Sequence, residues 1–152
     1  MEMGVELSFK FKDKAKETEL GTLFKNLSFE PVTKVPVNNA NDLREHLLNV
    51  FPAHKQEVNN FSAPDDCGSY VYDDLLNGIE YVSLWKAKCT MSICGGGNSY
   101  ESTQRFMHFI YSVGGKPLMC KVQDDEGGPL IKFTMDKHGN IKEDFDDYES
   151  EW

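Results

Sequence analysis

The side chains with the widest chemical reach in this chain are its cysteines and histidines. Cys67, Cys89, Cys94 and Cys120 follow the spacing C-x21-C-x4-C-x25-C. Structural zinc sites begin with two close pairs of ligands, and here there is at most one loose pair. On one regular strand Cys89 and Cys94 would point to opposite faces, because side chains alternate. The thiols therefore read as packing groups, with no metal site and no cofactor implied. A nucleophile would have to be Cys94 or Ser99, activated by His108 or His138. Neither a Gly-x-Ser-x-Gly elbow nor a local cysteine-protease signature surrounds them. His46 and His54 belong to a helix and its end, and His138 to a turn. The carboxylate pairs Asp65-Asp66, Asp73-Asp74 and Asp124-Asp125 are sequence neighbours. Strands separate such neighbours and turns leave them in water, a poor basis for acid-base work. The expectation is a chain without enzymatic activity.

Two segments remain. Gly95-Gly96-Gly97-Asn98-Ser99 lies between an expected strand and an expected helix. Its free amides and the helix N-terminus would suit an anion. It lacks the Gly-x-Gly-x-x-Gly spacing and the Gly-Lys-Ser/Thr ending of a P-loop, and a sharp chain reversal explains three glycines equally well. The second segment is Glu143-Asp144-Phe145-Asp146-Asp147-Tyr148-Glu149-Ser150-Glu151-Trp152, six acids interleaved with three aromatics. A solubilising tail has no use for aromatics, whereas an interface uses them as anchors and uses flanking acids to steer a basic partner. Asp144, Asp146, Asp147, Tyr148, Glu149 and Trp152 are the expected partner-binding residues. The alternative is that the aromatics pack back on the body.

The elements that must position these segments follow from periodicity. Val5, Leu7, Phe9 and Phe11 alternate with polar residues, a half-buried strand. Asp13 can cap a helix whose Leu20, Leu23, Phe24 and Leu27 form one stripe. Pro31 and Pro36 flank Val32, Val35 and Val37, an edge strand or connector. Asn41-Asp42 opens a second helix, with Asp42 and Glu45 at capping-box spacing and Leu43, Leu47, Val50 and Phe51 buried. Pro52 should end it. Residues 55–68 read as a loop. Tyr70 to Leu76, the turn Asn77-Gly78, and a long arm from Ile79 to Ile93 read as a hairpin, its second arm central to the sheet. Asn98 and Glu101 suit the start of a third helix with Phe106, Met107 and Ile110 inward, ended by Gly114-Gly115. Strands at Pro117–Gln123, Pro129–Met135 and Asn140–Phe145 follow, joined by turns. The order lacks regular strand-helix alternation, so the expected fold is α+β: a single mainly antiparallel sheet with about three helices packed mostly on one face.

At 152 residues the chain is of single-domain length. We divide it into an α+β domain, 1–142, and the acidic-aromatic segment, 143–152. With 39% hydrophobic and 27% charged residues it falls in the globular class and outside the disordered one. No apolar run reaches the length of a spanning helix, so no membrane role is expected. The N-terminus lacks the basic and apolar regions of a secretory signal, which leads us to expect a cytoplasmic protein.

Charge is unevenly spread. Residues 1–60 carry eight bases and nine acids, residues 61–142 eight and ten, and the last ten residues no base and six acids. Only Arg44 and Arg105 are arginine. Arginine is the preferred reader of phosphate and guanine, so nucleic-acid binding is not expected. Small acidic α+β chains without catalytic motifs are similar in general character to immunity proteins that neutralise bacterial toxins. Toxins that act on nucleic acids present basic clefts, which an acidic inhibitor complements. That likeness implies a basic partner protein. The alternative is a small-ligand or phosphate-binding protein, even an enzyme, using Gly95–Ser99.

Overall fold

A computed structural model describes residues 3–28, 37–84, 89–95, 99–124 and 128–146. Within them, seven strands form one sheet in the order β2-β3-β1-β5-β6-β7, with β4 also paired to β1. The strands are β1 (Met3–Lys10), β2 (Ile79–Ser83), β3 (Cys89–Gly95), β4 (Lys116–Pro117), β5 (Cys120–Asp124), β6 (Leu130–Met135) and β7 (Ile141–Asp146). Every pairing is antiparallel. The α-helices are α1 (Lys14–Leu27), α2 (Ala40–Val50), α3 (Lys55–Ser62), α4 (Val71–Asp74) and α5 (Ser99–Ser112). The α+β class is as the sequence suggests, but the α-helices among the described residues number five rather than about three.

The sheet buries one face. Val5, Leu7 and Phe9 of β1, Cys89 and Ile93 of β3, Val122 and Cys120 of β5 and Phe133 of β6 are all buried, and the register places them side by side. Phe9 makes edge contacts with Phe11, Phe24 and Phe106, which joins β1 to α1 and α5. Asp13 caps α1, its side chain accepting from the amides of Ala15 and Lys16. One turn on, the buried Glu17 carboxylate accepts the Phe11 amide at 2.8 Å and fixes the strand-to-helix corner. Gly21 lets α1 lie close on the sheet: a Cβ there would stand 2.2 Å from Leu84 Cδ2 and 3.1 Å from Cys89 Sγ.

Several local expectations need correction. Asn39 caps α2, its Oδ1 accepting the Asp42 amide at 2.8 Å, and the Asp42 carboxylate accepts the Asn38 amide at 3.1 Å, so the cap is Asn39 and not Asp42 paired with Glu45. The expected loop 55–68 contains α3. Phe61 stacks on Phe109 at 4.3 Å, and Arg105 donates to the carbonyls of Asn60, Phe61 and Ala63 at the helix end. Tyr70–Leu76 is no strand and Asn77-Gly78 no hairpin turn: α4 and a 3-10 turn (Leu76–Gly78) occupy them, with Val71, Leu75 and Leu76 buried.

The long arm from Ile79 to Ile93 is itself a hairpin, β2 and β3, with Ile79 opposite Ile93. A bulge between Ile79 and Tyr81 shifts the register by one residue, so Ile79 and Val82 are both buried. Of this arm, β3 is an inner strand between β2 and β1, while β2 is outermost among the described strands. Likewise Pro117–Gln123 is split into β4 and β5, both on the same side of β1. Val32, Val35 and Asn98 lie outside the described residues.

Candidate protein-binding edge

The β6–β7 hairpin is built by its turn. Asp136 donates its amide to the Asn140 carbonyl at 3.0 Å, and Gly139 donates to the Asp136 carbonyl at 3.1 Å. Gly139 has φ +82°, the left-handed position that closes a three-residue hairpin loop. The Asp136 carboxylate accepts from the amides of His138 (2.8 Å) and Asn140 (2.9 Å). Those bonds, that of Asn140 foremost, hold it below the usual carboxylate range.

The turn sets the hydrogen-bond phase of the strand that follows. Asp136 with Asn140 is a hydrogen-bonded pair, and such pairs alternate along an antiparallel ladder. Lys142 and Asp144, opposite Thr134 and Lys132, therefore turn their backbone groups inward to β6. Ile141, Glu143 and Phe145 turn theirs outward, where no described strand pairs with β7.

Side chains alternate in the other sense. Ile141, Glu143 and Phe145 lie opposite Met135, Phe133 and Ile131 on the helix-bearing face. The Tyr100 hydroxyl of α5 donates to the Glu143 carboxylate, and its ring meets Phe133 edge-on at 5.2 Å. That bond raises the Tyr100 phenol above its ordinary value, with desolvation adding to it. Beyond Glu143, Phe145 stands 62% exposed. Lys142 and Asp144 are exposed on the opposite face.

Of the residues expected to bind a partner, Asp144 and Asp146 lie on β7. Asp147, Tyr148, Glu149 and Trp152 lie outside the described residues. Strand β7 also runs through the boundary drawn at 142/143. Sequence reasoning did not foresee the Tyr100–Glu143 bond, because 43 residues separate the partners and neither type marks the other.

In the alternative ligand loop, Gly95 ends β3, while Gly96, Gly97 and Asn98 lie outside the described residues. Ser99 is buried and its hydroxyl donates to the Asp74 carbonyl at 3.4 Å. His108 is exposed and lines a groove of about 280 Å³ between α3 and α5 with Glu57, Phe61 and Arg105, while the Cys94 side chain lies outside what the structure describes. Cys89 and Cys120 are buried, and desolvation pushes each thiol up to about 12, so neither is a thiolate near neutral pH. His138 is exposed in the β6–β7 turn. Among the described residues no group of three or more His, Cys, Asp or Glu could hold a metal ion, and no helix is long and apolar enough to cross a membrane. No protein-family model, no curated protein and no solved structure matches the chain.

Proposed function

We propose that this chain is a non-enzymatic, cytoplasmic protein-binding module that docks a basic partner protein through β7 and the acidic segment continuing from it. The observation that carries the reading is the environment of Phe145. An aromatic ring 62% exposed, on an outer strand next to the exposed Asp144, has the composition of an interface anchor beside steering charge. An immunity-type inhibitor of a toxin or nuclease is the form of binding module that fits best, since the body is nearly neutral and the acidity is gathered at the C-terminal end. Such a surface would raise the association rate with a basic cleft and make it salt-dependent.

The test is affinity capture from host lysate at low salt and at roughly 0.5 M salt, where the Debye length falls well below 10 Å. Wild type is compared with the double variant Asp144→Lys, Phe145→Ala. The expected result is a stoichiometric basic protein held by wild type at low salt, weakened at high salt and lost from the variant. If both baits hold the same proteins at both salts, the reading fails.

A further inference from the structure

We propose that the edge of β7 with which no described strand pairs joins the same edge of a second copy, antiparallel about a two-fold axis at Glu143. The inference concerns the chain alone and does not rest on the basic-partner reading.

In an antiparallel pair, facing residues share a face of the sheet, so a symmetric β7–β7 contact can centre only on a residue. Four centres are available; centred on Phe145, the strand sets Phe145 against Phe145 and Asp144 against Asp146. Centred on Lys142, the strand sets Lys142 against Lys142 and Ile141 against Glu143. Centred on Asp144, it sets Asp144 against Asp144 and Glu143 against Phe145. Centred on Glu143, it sets Ile141 against Phe145 twice and Lys142 against Asp144 twice. The Glu143 register alone gives apolar and opposite-charge neighbours on their respective faces, the pairings that favour adjacent strands.

The backbone agrees. In this register the outward groups of Ile141, Glu143 and Phe145 meet those of Phe145, Glu143 and Ile141 of the second copy. Lys142 and Asp144 then form the non-hydrogen-bonded pairs, in which side chains approach more closely. The remaining like-charge contact is Glu143 with Glu143. Each of these carboxylates is hydrogen-bonded to Tyr100 of its own copy. Tyr100 in turn packs on Phe133, on the β6 side of the strand, which draws the carboxylate away from the axis. The pairing would also cover Phe145.

A contact of five β7 residues per copy falls in the small, transient class of interfaces, so association is expected between about 10 μM and 1 mM. Sedimentation equilibrium of the purified full chain over that range, at low salt, should show a monomer–dimer equilibrium. The charge order supplies a sharper test. Lys142→Asp leaves two acids at the pairing positions and Asp144→Lys leaves two bases. Each variant alone should lose at least tenfold in self-association, while an equimolar mixture should recover it as a heterodimer. The double variant Lys142→Asp, Asp144→Lys should again pair with itself. Thermal melting of each variant separates lost pairing from lost folding. Amide exchange of wild type gives a second readout: on raising the concentration, Glu143 and Phe145 should gain protection while Lys142 and Asp144, bonded to β6, do not. A monomer up to 1 mM, or single variants that associate as well as wild type, would overturn the proposal, and neither outcome bears on capture of a basic partner.

Discussion

Among the described residues the two outer strands of the sheet, β2 and β7, are of similar length but meet their inner neighbours differently. Strand β2 slips by one residue against β3 at the bulge between Ile79 and Tyr81. Helix α1 lies close behind it, with Lys25 and Ser28 beside Tyr81 and Leu84 around a shallow hollow of about 230 Å³. Strand β7 keeps register with β6 through all six of its residues. A bulge twists an edge away from any incoming strand, whereas charges turn away only strands that lack the complementary order. The β2 edge is closed by geometry and the β7 edge is filtered by sequence. An interface is therefore better sought at β7, although Tyr81 on β2 is as exposed, at 60%, as Phe145 is at 62%.

The largest expected contrast is between aromatics behind the two edges. Phe24 on α1 is fully buried against Phe9 and Phe106, so Phe24→Ala should cost about 3–5 kcal/mol. For a chain of this length that is a fall in Tm of roughly 10 °C or more. Phe145→Ala, at an exposed position, should stay within about 0.5 kcal/mol. Denaturant melts of both variants check the pair, and a large loss at Phe145 would mean that its ring packs on the body.

Removing the bulge is the next step down. Deletion of Glu80, the extra residue of the bulge, would restore continuous pairing on β2 and leave Ile79 and Val82 two positions apart, both still on the buried face. Because no apolar side chain is exposed, the stability should change by only about 1 kcal/mol. The regularised edge should also make the protein more prone to concentration-dependent association, measurable by light scattering.

That bulge also shows where the sequence was legible and where it was not. Strand β1, helices α1 and α5 and the β6–β7 hairpin follow from alternation, apolar stripes and turn residues, all local signals. In the stretch from Ile79, Val82 and Leu84 break the alternation. They read as exceptions on one long strand, but at Val82 the break marks a change of parity, which a bulge produces and a flat pattern cannot express. Helix α3 has eight residues and no side-chain cap, and part of its support comes from Arg105, more than 40 residues away. Tertiary contacts of that kind leave no periodic trace. The candidate edge was legible in part: the acids and Phe145 stand out by composition, but which of them share a face, and which amides point outward, depends on the phase set by Gly139.

A similar effect is expected where α5 meets β7. Tyr100→Phe keeps the contact with Phe133 and removes the donor to Glu143, a loss of about 1 kcal/mol for one hydrogen bond to a charged group that is only half-buried. The sign with pH follows from the raised phenol. Its contribution is complete below the unfolded phenol's value near 10 and is lost as pH rises through the higher folded value. Wild type and Tyr100→Phe should therefore converge in stability above pH 10. If the gap between them is constant from pH 7 to 11, the hydroxyl does not carry the difference.

The turn at Asp136 should give the smallest effect and the most local one. Its carboxyl is held low by the Asn140 and His138 amides, so its contribution is present above the unfolded value near 4 and fades as pH falls through the lower folded value. The group is at the surface, and the consequence should be confined to fraying of the hairpin end that sets the phase of β7. Amide shifts of His138, Asn140 and Lys142 followed from pH 6 to 2 should move together with one midpoint below 4, while shifts on β2 stay still. Asp136→Asn keeps an acceptor oxygen and should abolish the titration while retaining the turn. If Lys142 does not follow the turn residues, the phase of β7 is held by its pairing with β6 rather than by the loop, and the outward set Ile141, Glu143 and Phe145 would survive acid that melts the turn.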